Sequence, residues 1–69
     1  MATGTVLWFD TARGFGYITP DDDGDAEIRV NAAAVERAGL PPLEDGQVIA
    51  YELERDPFSG QMVAGKLRA

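Results

Sequence analysis

Cysteine and histidine are both missing from this chain. Without cysteine no disulfide can fasten the fold, and without either residue the usual zinc ligands are gone. The same two absences remove the commonest nucleophile and general base, so catalysis would have to rest on paired carboxylates in a cleft. A chain of 69 residues offers no evident cleft. No enzymatic activity, cofactor or metal is expected. No apolar run approaches the ~20 residues that span a bilayer. Met1-Ala2-Thr3-Gly4 has neither the basic start nor the apolar stretch of a secretory signal. The expectation is a soluble cytoplasmic protein with no membrane contact.

Cations are scarce as well. Six Lys and Arg stand against twelve Asp and Glu, for a formal net charge of −6. Binding to a polyanion is driven largely by counterions released when Lys and Arg neutralise phosphates. A chain this acidic must gather its few cations on one face or bind weakly. Composition alone therefore argues against nucleic acid.

The pattern that is present belongs to strands. There is no internal repeat, low-complexity segment or linker, and residues 1–69 read as one domain with a thin core. Residues 4–10 carry Thr5, Val6, Leu7, Trp8 and Phe9, all good strand formers. A turn at residues 11–14 leads to a second strand, 15–19, stopped by Pro20. Asp21-Asp22-Asp23-Gly24-Asp25 is a tight turn. It lacks the twelfth-position glutamate and flanking helices of an EF-hand and reads as a solvated turn, not a calcium loop. Residues 27–31 form a third strand. Residues 32–40 have helix-forming composition and hold one short helical turn before Pro41-Pro42. Strands 48–55 and 61–67 follow, separated by a turn. Five short strands with no long helix predict a small closed barrel.

Faces follow from the two-residue period of a strand. Phe15 and Tyr17 share one face of the second strand, while Gly16 and Ile18 share the other. In the third strand Ile28 and Val30 point to the core, and Glu27, Arg29 and Asn31 point away. Glu52, Glu54 and Asp56 read as solvent-facing, and Met62 as core. Rings projecting from neighbouring strands make a platform on which bases stack, each stack contributing roughly 1–3 kcal/mol. Trp8, Phe15 and Tyr17 are the candidates. Phe9 is divided between the core and the platform's edge.

These residues also carry a family likeness. Gly4-Thr5-Val6-x-Trp8-Phe9-Asp10-x-x-Arg13-Gly14-Phe15-Gly16-Tyr17-Ile18-x-Pro20-Asp21-Asp22 resembles the signature of bacterial cold-shock proteins. Residues 13–18 are similar to that family's first RNA-binding motif, and residues 34–40 and 43–47 resemble the segments that follow its third strand. The resemblance implies an all-β fold, a five-stranded antiparallel OB-fold barrel with one short helical turn after the third strand. It also implies binding of single-stranded RNA or DNA as an RNA chaperone or a regulator of transcription and translation; separately, a monomer is expected, with a dimer as the alternative. The base-stacking roles would fall on Trp8, Phe15 and Tyr17, with Phe9 at the edge.

The departures are equally specific. The family's second RNA-binding motif usually places an aromatic, an aliphatic, a histidine and often another aromatic where this chain has Arg29-Val30-Asn31-Ala32. Only the inward Val30 survives. Leu7 replaces a basic residue, Leu40 a frequent ring, and the last loop reads Pro57-Phe58-Ser59-Gly60. Losing two or three rings at roughly 1–3 kcal/mol each removes several kcal/mol of binding. Arg29 could recover part by stacking on a base while pairing with a phosphate, and Asn31 by hydrogen-bonding a base edge. Arg13 would contact phosphate. Phe58 either reaches the platform or packs against its own turn. The expectation is a weakened single-strand binder. The alternative is a protein-interaction module on the same barrel, its acidic surface and exposed rings suited to a basic partner or to self-association.

Overall fold

Strands this short, each with a single apolar face, bury that face only if the sheet curls onto itself. The computed structural model, which describes residues 2–69, shows that solution. Strands β1 (Ala2–Asp10), β2 (Phe15–Pro20) and β3 (Ile28–Asn31) form a meander, followed by a six-residue helix α1 (Ala32–Arg37) and the hairpin β4 (Val48–Arg55) and β5 (Met62–Arg68). The barrel closes in the order β1-β2-β3-β5-β4. β3 meets β5 in parallel through Arg29↔Val63 and Val30↔Ala64. The other contacts are antiparallel.

Strand bounds differ little from those predicted. β1 begins two residues earlier, because Ala2 and Thr3 pair with Tyr51 and Ala50 of β4. β2 runs on to Pro20, which sits at the end of the strand opposite Gly4 and has no further rung to supply with an N–H. β3 starts at Ile28, where pairing with Ile18 begins.

The interior is filled by alternate residues. Val6, Ile18, Val30, Ile49 and Tyr51 are all 1% exposed or less, with Ala64 and Leu67 completing the β5 wall. Two segments outside the strands close the core. Val35 is the buried residue of α1, and Leu43 is buried after the Pro41-Pro42 break. The helix ends by a left-handed glycine, Gly39 at φ 74°. There the Gly39 N–H donates to the Glu36 carbonyl and the Leu40 N–H to that of Val35. The loop before β4 is strapped to β1, the Gly46 N–H donating to the Val6 carbonyl at 2.7 Å and the Val6 N–H to that of Gln47 at 2.8 Å.

One core assignment is overturned. Met62 points the way Ala64 does but is 44% exposed, because it lies on the last rung of the hairpin, where its recorded pairing is with Arg55 alone. Leu53, two residues beyond Tyr51, is exposed at the same end.

A core this small makes each aliphatic count. Burial of one such side chain contributes about 1.5–3 kcal/mol. Ile18→Ala should therefore cost about 2–5 kcal/mol, a large part of what a chain of this length has; a urea titration followed by circular dichroism checks it. Tyr51 sets the alkaline limit. Burial, with the Asp22 and Asp21 carboxylates nearby, raises its phenol above the ordinary value of 10.0. Its contribution is intact below that value and is lost as pH rises through the higher folded-state pKa. A Tyr51→Phe variant should hold its stability further into alkali than the parent, in melting temperatures taken from pH 9 upward.

Candidate nucleic-acid interface

Plain alternation from the inward Val6 would send Trp8 into the core. The strand avoids this with a bulge. Val6 pairs with Ile18 and Trp8 with Tyr17, so Leu7 is the extra residue and the register shifts by one. Leu7 and Trp8 thus both face outward, Leu7 exposed and Trp8 half-buried. Trp8 then stands opposite Tyr17, and Asp10 opposite Phe15. The three rings meet edge to face: Trp8–Tyr17 centroids are 5.3 Å apart, Trp8–Phe15 5.5 Å and Phe15–Tyr17 6.1 Å. Such pairs contribute about 0.5–1.5 kcal/mol each beyond burial, so the cluster is held before any ligand arrives.

The bulge also settles Phe9, which packs against the core rather than joining the three rings. Phe9 lies opposite Gly16, and that glycine is required. A Cβ there would strike the Trp8 carbonyl oxygen and come within 2.7 Å of Phe9 Cα. Both are backbone atoms and cannot step aside. The floor under the rings is therefore bare backbone, which is what lets β1 and β2 approach.

The third strand brings a cation to the edge of the ring cluster. Arg29 pairs with Tyr17 and Asn31 with Phe15. The Arg29 guanidinium lies 4.2 Å from the Phe15 centroid, a cation–π contact. Its Nε donates to Asn31 Oδ1 at 2.9 Å. Asn31 occupies the N-cap position of α1 yet makes no side-chain cap, although a cap there would stabilise the helix by about 0.5–2 kcal/mol. The amide instead orients Arg29. Alternation puts Asn31 on the same face as Arg29, but nothing in the sequence shows that its amide holds the guanidinium rather than reaching outward.

At the other end of the cluster, Asp10 organises the turn. Its Oδ1 accepts from the N–H groups of Ala12 and Arg13, and the Gly14 N–H donates to its carbonyl. Gly14 itself takes φ 82°, a left-handed value that favours glycine. Arg13 is well exposed and lies 3.5 Å from the Asp10 carboxylate, a pair screened by water and easily exchanged.

Phe58 stands apart from the rings, in the loop between β4 and β5. It does not pack against its own turn, being 98% exposed. The loop is shaped by Asp56, whose carboxylate accepts from the Phe58 N–H at 2.9 Å and the Ser59 hydroxyl at 3.1 Å. The Phe58 hydrogen bond chiefly, then those of Ser59 and the nearby charge of Arg29, hold the Asp56 carboxyl below its ordinary 3.8. The order it gives the loop is present above that value and is lost as pH falls through the lower folded-state pKa.

A closed five-stranded barrel with rings clustered on its outer face is an oligonucleotide-binding type of barrel. Comparison with known proteins agrees. The family described as the 'Cold-shock' DNA-binding domain matches residues 2–67. The chain is 58% identical over 69 residues to the probable cold shock protein y4cH of Sinorhizobium fredii, covering 100% of this chain and 99% of that one. It is 49% identical over 69 residues to the cold shock protein CspA of Rhizobium meliloti, with the same coverage. A plant relative, glycine-rich protein 2 of Nicotiana sylvestris, is 40% identical over 53 residues, 77% of this chain and 24% of that protein. The chain belongs to the cold-shock domain family. That family binds single-stranded nucleic acid and is not enzymatic. Among the described residues no helix is long and apolar enough to cross a membrane.

The glycine under the rings gives a direct check. Gly16→Ala should separate β1 from β2, lower the melting temperature and shift the Trp8 emission. An unchanged melting temperature and emission would mean that the close approach is not needed.

Proposed function

We propose that this chain acts as one domain that binds single-stranded RNA or DNA through a platform of three rings, Trp8, Phe15 and Tyr17, and one guanidinium, Arg29. The observation that carries the reading is the edge-to-face cluster of those rings on an outer strand face, with Arg29 lying over Phe15. Exposed parts of the rings can take bases of any identity. A base arriving over Phe15 meets the guanidinium first, and arginine accepts a stacked base while keeping donors for a phosphate. Arg13 adds a second cation beside the platform. Phe9 contributes from beneath, by fixing the strand spacing.

Affinity is lower than a full platform would give. Two or three ring positions are filled by Arg29, Asn31 and Ala32, and each missing stack removes about 1–3 kcal/mol. A weak, base-tolerant binder in the cytoplasm suits an RNA chaperone or a regulator of transcription or translation, where strands must be released again.

Trp8 fluorescence reads binding directly. A short single-stranded RNA or DNA should quench it, with affinity falling as salt rises by a log–log slope of about −0.7 for each phosphate contacted. Phe15→Ala should weaken binding about 5- to 150-fold, the equivalent of one stack, and leave the fold intact. Arg29→Ala should weaken binding and flatten the salt dependence together. No quenching by either nucleic acid at low salt would overturn the reading. The net charge of −6 would then favour a basic protein partner for the same rings.

A further inference from the structure

The six cations of this chain are not spread over its surface. Arg13 and Arg29 flank the rings. The remaining four line two adjoining depressions that share Arg37 and Glu54. The first, about 470 Å³, lies beside the platform between Asn31, Arg37, Arg55 and Phe58. The second, about 400 Å³, continues from Arg37 to Lys66 and Arg68. Together they make one trough that starts at Asn31, the residue holding Arg29, and runs between α1 and the β4–β5 hairpin. Six carboxylates and no cation lie in the turn of residues 21–25 and the loop before β4: Asp21, Asp22, Asp23, Asp25, Glu44 and Asp45. The trough sets four cations against three carboxylates, so a polyanion is repelled less along this line than over the acidic turn of residues 21–25.

The trough holds three carboxylates of its own, Glu52, Glu54 and Asp56, which keep their charge, although the oxygens of two make other contacts. Asp56 is turned into its loop, onto the Phe58 N–H and the Ser59 hydroxyl. Glu54 lies folded over Gly65, its carboxylate filling the space a side chain there would occupy. Among the described residues the only ion pair is Arg13–Asp10. Arg37, Arg55, Lys66 and Arg68 therefore have no carboxylate within bonding distance. Lys66 also adopts φ 48°, where glycine or asparagine would sit more easily. That value belongs to a bulge, where Lys66 and Leu67 of β5 stand opposite the single residue Tyr51 of β4.

We infer that a bound single strand leaves the rings past Asn31 and continues along this trough, its phosphates lying against Arg37, Lys66 and Arg68 and a base resting on Phe58. The inference rests on the single-strand reading above and extends its site to a second, mainly electrostatic half. It also accounts for how an acidic chain with a shortened platform retains a strand: length compensates for lost rings.

Two oligonucleotides separate the halves, one of about four nucleotides that fills the platform and one of about ten that reaches the trough, both within the span of OB-type sites. The longer strand should bind more tightly and with a steeper salt slope. In an Arg37→Gln/Arg68→Gln variant, the slope for the longer strand should fall by about 1.4, or about 0.7 per phosphate lost, while the shorter strand binds as before. Both arginines are exposed, and an unchanged melting temperature confirms the fold. Lys66→Gly, which relieves the backbone, should raise stability and still weaken the longer strand. If the shorter strand quenches Trp8 but the variant leaves the longer strand's affinity and slope untouched, the trough is overturned and the platform stands. If neither strand quenches Trp8, both are overturned.

Discussion

Between Val6 and Trp8 the first strand carries one residue more than the strand opposite, and that surplus decides which way the indole faces. With strict alternation the barrel would draw Trp8 into a core that has no room for it and would push Phe9 outward. With Leu7 as the bulged residue, Val6 fills the interior, Trp8 joins Phe15 and Tyr17 outside, and Phe9 turns back against the core. Gly16 is bound to the same event, since the strands meet too closely there for any side chain. A bulge adjacent to a binding surface is a frequent device for aiming one side chain, and here it aims the largest one in the chain.

Charge is the second constraint. A net charge of −6 would ordinarily exclude a polyanion, and a uniform distribution of six cations among twelve carboxylates would do so here. The fold sorts them. Arg29 has its guanidinium carbon over the Phe15 ring and its Nε bonded to Asn31, two contacts that restrain the cation in the free protein. The other cations, Arg13 excepted, face a common trough. The acidic turn of residues 21–25 and the pair Glu44-Asp45 lie outside the strands that carry the rings.

Most of the architecture was legible because strands announce themselves by period and punctuation. Pro20, the Asp-rich turn and Pro41-Pro42 marked the breaks, and Ile18 and Val30 were inward by alternation alone. The rings were legible through the motif at residues 13–18. Three things were not. The bulge at Leu7 leaves no trace in composition, since every residue from Thr5 to Phe9 suits a strand. The contact of Arg29 with Phe15 depends on the β2–β3 register. The trough requires α1 to lie across β5 and so joins residues 37, 55, 66 and 68, which no sequence spacing relates. Met62 was misjudged because apolar character predicts burial only where the sheet is closed on both sides, and the hairpin tip is open.

The central claim is that the outward rings are where bases sit. Nuclear Overhauser contacts between a bound single-stranded oligonucleotide and the aromatic protons of the protein test it most directly. The account predicts base-to-ring contacts at Trp8, Phe15 and Tyr17, with the base protons shifted upfield by the rings and none reporting on Phe9. A bound strand whose bases contact other surfaces, leaving the indole protons of Trp8 unshifted, would contradict it.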